Sequence, residues 1–280
     1  MKRQAALLLA FLFLFVLAGC GQTPSQPASD PAGEETVLTD GESPAPENPE
    51  ASEETPEAPA EEPDTAVPAG EAVDPQWFSD AAFVGDSVSV MLEQYNASTS
   101  ALGSPTFLCS VSLSQQNAQS YEAGNERLPE YPKGSGQHPK VENAIAAAGA
   151  KKIYLMLGMN CIAGGVDRAC TDLVTLVGKI QAQSPDTAIL IQSVTPMTAD
   201  SPRADESLNN TTIQAFNDQM KTICQEKGWY FINVAEAVSD ENGFLRSDFS
   251  GDKAMGIHFN YNGAAAWAEY LLTHVPQALK

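Results

Sequence analysis

From residue 76 to the C-terminus, short runs of consecutive apolar positions alternate with longer stretches in which apolar residues recur every three or four places. The runs are Ala81 to Val84, Thr106 to Val111, Lys152 to Leu157, Ala188 to Ser193 and Tyr230 to Val234. Runs of this length without polar alternation read as strands buried on both faces. Between them, Ile213, Phe216, Met220 and Ile223 form a stripe at helical spacing from Thr211 to Lys227, with Asn209 or Asn210 placed to cap its start. Leu173, Leu176, Val177 and Ile180 form a second stripe, and Trp267, Leu271 and His274 a third. The ordinary role of such stripes is core packing. Strand and helix alternating five times predicts an α/β fold of three layers: a five-stranded, mostly parallel sheet with helices on both faces. Ligands bind such sheets beyond the carboxyl ends of the strands. Ser87, Ser112, Asn160 and the loop Thr195-Pro196-Met197 all emerge at that edge.

The patterning upstream is different. Met1-Lys2-Arg3 is a basic start, Leu7 to Leu17 is an apolar stretch too short for a stable span, and Leu17-Ala18-Gly19-Cys20 closes it with small residues. Residues 1–20 resemble a bacterial lipoprotein signal, in which the Cys20 thiol is acylated and becomes the mature N-terminus. That resemblance implies a protein anchored by lipid to the outer face of a bacterial cell membrane, with the membrane contacted through Cys20 alone. Residues 21–75 are rich in Pro, Glu, Ala, Ser and Thr and hold eleven of the nineteen prolines. So little apolar surface cannot offset chain entropy, so this segment is expected to be a disordered acidic linker. Its reach runs from about 40 Å as a coil to about 170 Å as polyproline. The remaining segment, 76–280, carries thirteen basic and twenty-one acidic residues, a net charge near −8 (13 − 21). That balance argues against a nucleic-acid partner and against docking of the domain itself on an anionic membrane. A monomer is expected.

Within the domain, Ala81-Ala82-Phe83-Val84 breaks into Gly85-Asp86-Ser87, and Gly256-Ile257-His258-Phe259 lies near the C-terminus. A serine hydroxyl is a poor nucleophile until a nearby imidazole takes its proton, which makes Ser87 and His258 a candidate pair. The third run ends in Gly158-Met159-Asn160, an amide placed to donate to a developing oxyanion. Taken singly each motif has an ordinary explanation: Asp86 or Ser87 as a helix cap, Asn160 as a loop former, His258 as a structural histidine. Their order on a repeating strand and helix pattern points instead to one site.

Ser87, the Gly-x-Asn ending at Asn160 and the C-terminal His258, in that order, resemble the SGNH or GDSL hydrolase superfamily from about Trp77 onward. The resemblance implies a flavodoxin-like hydrolase fold and an oxyanion hole made by the N–H of Ser87, the N–H of Ser112 and the side chain of Asn160. Ser112 stands where the superfamily usually has glycine. An Asp normally lies three residues before the histidine, and this chain has Met255 there. A thioether cannot orient an imidazole or stabilise its charge. Asp252 and Asp248 are the nearby acids that would replace it, with a backbone carbonyl as a further acceptor.

The remaining candidates are weaker. Cys109, Cys161, Cys170 and Cys224 have no Cys-x-x-Cys spacing and no neighbouring His, so no metal or redox cofactor is expected and they read as small buried apolar groups. His138 lies in Gly134-Ser135-Gly136-Gln137-His138-Pro139 and reads as a solvated loop histidine. By resemblance and location the chain is expected to be an extracytoplasmic serine esterase that removes acetyl or another small acyl group from a glycan or other cell-envelope ester, with no cofactor. Transfer of the acyl group to a sugar hydroxyl would use the same residues. A degenerate glycan-binding domain is the third reading, and Met255 is its basis.

Overall fold

A computed structural model describes residues 66–203 and 206–280. Cys20, expected to carry the lipid, and residues 21–65 of the expected linker lie outside the described residues. The five apolar runs are strands: β1 (Ala81–Gly85), β2 (Thr106–Cys109), β3 (Lys152–Met156), β4 (Ala188–Gln192) and β5 (Tyr230–Ile232). All neighbours are parallel, in the order β2-β1-β3-β4-β5. The helices are α1 (Ser87–Thr99), α2 (Gln115–Ser120), α3 (Val141–Ala148), α4 (Val166–Gln183), α5 (Asn210–Lys227), α6 (Val234–Val238) and α7 (Tyr261–Thr273). Most strands stop one or two residues short of the apolar run that marks them; β5 ends at Ile232 because Val234 already opens α6.

The three-layer α/β arrangement follows from alternation along each buried strand. Ala82 and Val84, Ile153 and Leu155, and Ile189 and Ile191 face one core, which Leu173, Leu176 and Ile180 of α4 and Ile213, Phe216 and Met220 of α5 complete. Ala81 and Phe83, Tyr154 and Met156, and Leu190 face the other, against Val88 and Leu92 of α1 and Trp267 and Leu271 of α7. With both faces covered, the surface left for chemistry is the carboxyl edge. Strand order reverses between β1 and β3, the crevice where ligands bind in doubly wound sheets.

The folded region begins earlier than residue 76. Val67 donates to the carbonyl of Phe231 on the edge strand β5 (2.9 Å), Gly70 to Thr273 (2.8 Å) and Val73 to Leu272 (2.9 Å). Val67 is buried, and Asp74 caps the turn that starts at Pro75. The expected boundary at 75/76 is therefore too late. A Pro-rich composition does not prevent docking where a strand edge offers unpaired backbone groups. No helix among the described residues is long and apolar enough to cross a membrane.

Candidate active site

Ser87 is the first residue of α1, directly after β1. Asp86 precedes it in extended conformation and its Oδ1 accepts the N–H of Val88 at 3.0 Å, the bond that starts the helix. Gly85 is required there: a Cβ would stand 1.9 Å from Ser89 Oγ and 2.4 Å from Ser89 Cβ, so any side chain would push α1, and Ser87 with it, off the strand.

His258 lies in the loop before α7. Its Nε2 is 3.0 Å from Ser87 Oγ, and its Nδ1 is 2.5 Å from Asp252 Oδ2. The Asp252 carboxylate also accepts the N–H groups of Met255 (2.6 Å), Gly256 (3.1 Å) and His258 (3.1 Å), so the loop is wrapped around it. Gly256 makes that wrap possible at φ +69°, where a Cβ would meet Thr198 Oγ1 at 2.3 Å. Partial burial pushes the Asp252 carboxyl up, but the N–H of Met255, the His258 imidazole and the N–H groups of Gly256 and His258 outweigh it and hold it at about 2. An ionised carboxylate only accepts, so Nδ1 carries the proton and donates it to Asp252, leaving the Nε2 lone pair facing the Ser87 hydroxyl.

Of the two acids expected near His258, the structure brings in Asp252, six residues upstream. Asp248 is a correction: it is exposed and takes Nε and Nη2 of Arg246 at 3.1 and 2.7 Å. Met255 does not leave the imidazole without an acid, because its own N–H helps to hold Asp252 in place. That removes the basis of the degenerate-binder reading.

On the other side of Ser87, Ser112 sits at φ +62°, the left-handed region. This is why glycine is usual at that position. Asn117, which sequence reasoning missed, holds the serine there: its Nδ2 donates to the Ser112 carbonyl at 2.7 Å and its Oδ1 accepts the Ser114 N–H at 2.9 Å. Ser114 Oγ in turn accepts the Asn117 N–H at 3.1 Å, a capping box for α2. The Ser-x-x-Asn spacing before a helix was the available signal. The Asn160 amide is already engaged, donating one hydrogen to Asp86 Oδ2 and the other to the Leu113 carbonyl, each at 3.1 Å. Neither hydrogen is free, so donation to an oxyanion would require sharing one of them, and the N–H of Ser87 lies at the open end of α1. Asp86 is buried, and burial drives its carboxyl up to about 6 against the lowering effects of the Val88 N–H and of His258.

The other candidates lie apart from this chemistry. His138 is held rather than freely solvated, with Nδ1 2.7 Å from the Leu128 carbonyl. Cys109, Cys161, Cys170 and Cys224 are free thiols, three of them buried. Burial pushes Cys161, the neighbour of Asn160, up to about 12, so it stays a thiol.

A family model described as GDSL-like lipase/acylhydrolase matches residues 83–266, which span Ser87, Ser112, Asn160, Asp252 and His258. No curated protein matches the chain. Among solved structures, a protein from Streptococcus pneumonia described as a platelet activating factor is 19% identical over 69% of this chain and 81% of its own, with a TM-score of 0.52. A Bacteroides fragilis protein described as an acylhydrolase is 14% identical over 76% and 90% of the two chains, and a GDSL-like lipase from Bacteroides thetaiotaomicron is 14% identical over 72% and 87%, both with TM-scores of 0.52. At these identities the likeness is one of fold.

Proposed function

Because the chain belongs to the GDSL-like lipase/acylhydrolase family and is a hydrolase acting on esters, we propose that it is a lipid-anchored esterase working outside the cytoplasm, which removes acetyl or another short acyl group from a carbohydrate. The observation that carries the chemistry is the line Ser87 Oγ, His258 Nε2, His258 Nδ1, Asp252 Oδ2, with gaps of 3.0 and 2.5 Å. As Ser87 Oγ attacks the ester carbonyl, its proton passes to Nε2, and the Asp252 charge stabilises the imidazolium that forms. The oxyanion is met by the N–H groups of Ser87 and Ser112 and by a shared hydrogen of Asn160. His258 then returns the proton to the departing alcohol oxygen. Water repeats the cycle on the acyl-enzyme, releasing the acid and restoring the Ser87 hydroxyl.

The anchor is supported by the Leu17-Ala18-Gly19-Cys20 motif after the apolar stretch from Leu7 to Leu17. Labelling with a fluorophosphonate tests the nucleophile: wild type is expected to label at Ser87, and Ser87→Ala and His258→Ala to lose it. Undiminished labelling of His258→Ala would sink the mechanism. Cys20→Ser is expected to move the protein out of the membrane fraction with its esterase activity intact, and continued retention would remove the anchor.

A further inference from the structure

A cleft of about 550 Å³ opens against the site, with Asn160 and Ile257 in its lining. Asn160 neighbours Ser87 through Asp86, and Ile257 directly precedes His258, so the cleft adjoins the reacting groups and is open to the part of the ester that is not the acyl group. Its volume falls within the roughly 300–1,000 Å³ of sites that enclose drug-sized ligands, far more than a short acyl group needs. Leu208 and Ile257 are buried and Met255 half-buried, giving the cleft an apolar side, whereas Arg203 is half-buried and Glu206 exposed at the same cleft.

Those two charges are only loosely paired. Arg203 Nε is 3.9 Å from Glu206 Oε2, whereas Arg246 grips Asp248 with two bonds of 3.1 and 2.7 Å. Charge-assisted hydrogen bonds close to about 2.7–2.9 Å, so the Arg203 and Glu206 pair leaves room for a group between or beside its members. A guanidinium only donates and a carboxylate only accepts, while a sugar hydroxyl does both. Adjacent hydroxyls on one ring satisfy such a pair, and the C–H face of the same ring matches the apolar lining. An anionic group fits worse, because Glu206 and the net charge near −8 of residues 76–280 both oppose it.

We infer that this cleft receives a neutral sugar ring from the alcohol portion of the ester, with Arg203 and Glu206 reading neighbouring hydroxyls. The inference rests on the esterase reading above. The test compares kcat/KM for partially acetylated neutral xylo- and chito-oligosaccharides with kcat/KM for p-nitrophenyl acetate, which has no sugar. Arg203→Gln and Glu206→Gln are expected to lower the ratio of the two roughly 10-fold to 100-fold, mainly through KM, as expected for lost hydrogen bonds to charged groups. Leu208→Trp, which fills the cleft from its apolar side, is expected to lower the same ratio without touching either charge. Ratios unchanged in all three variants overturn the inference. So does a wild type that hydrolyses p-nitrophenyl acetate but no neutral oligosaccharide, or one that prefers acidic oligosaccharides. A wild type inert to p-nitrophenyl acetate and to fluorophosphonate instead overturns the esterase reading itself.

Discussion

Two carboxylates flank the Ser87 and His258 pair, and their surroundings shift their titration in opposite directions. Asp252 lies in a loop whose N–H groups converge on it, and it stays charged down to about pH 2. Asp86 lies at the junction of β1 and α1, fully enclosed, and burial carries its carboxyl up to about 6. The difference separates two tasks. The half of the site that moves a proton is organised around a fixed charge, and the half that meets the oxyanion is organised by neutral amides, Asn117 and Asn160, that hold backbone and side chain in position.

The sharpest way to break this division is at the charge. Asp252→Asn is expected to lower kcat on p-nitrophenyl acetate by roughly 10⁴-fold, since an amide selects the wrong imidazole tautomer. Met255→Asp, at the position where the family carries its acid, is expected to change kcat little, because Asp252 already holds Nδ1. A large gain from Met255→Asp would show that Asp252 does not do so in solution.

On the neutral side, Asn160→Ala is expected to cost about 10²- to 10³-fold in kcat, the effect of one oxyanion donor, with KM nearly unchanged. Asn117→Ala touches no substrate and acts only through Ser112, so a smaller fall of about 10-fold is expected, again in kcat. If Asn117→Ala leaves kcat intact while thermal stability drops, the amide serves the α2 cap alone and the Ser112 conformation needs no support from it.

The smallest effect is on stability, and the two acids should show it with opposite signs. The Asp86 carboxyl is raised, so the stability it contributes is full below its ordinary 3.8 and is lost as pH rises through about 6, on the order of 3 kcal/mol. The Asp252 carboxyl is lowered, so its contribution is present above 3.8 and is lost as pH falls through about 2. Urea unfolding of Asp86→Asn from pH 4 to 7 is expected to lack the decline that wild type shows over that range. An unaltered decline would place the titration elsewhere.

The sequence by itself determined what depends on neighbours along the chain. Apolar runs and three-to-four-residue stripes encode the strands and helices because periodicity alone decides which face is buried, and a strand ending in Gly85-Asp86-Ser87 leads into a capped helix by local rules. Ser87 and Asn160 were legible because each follows an apolar run, while His258 was read from the order of the motifs and Ser112 only through the family resemblance. Only the tertiary structure decided among Asp248, Asp252 and a backbone carbonyl at His258, because that choice turns on how a loop closes over a carboxylate and not on spacing in the chain. It also decided that residues 66–75 dock on β5 and α7, where composition suggested a free linker, and that both hydrogens of Asn160 are already in use. The docking of residues 66–75 and the Asn160 contacts join segments far apart in sequence, the Asp252 contact turns on how one short loop closes, and hydrogen-bond geometry within about 3 Å cannot be read from residue type or order.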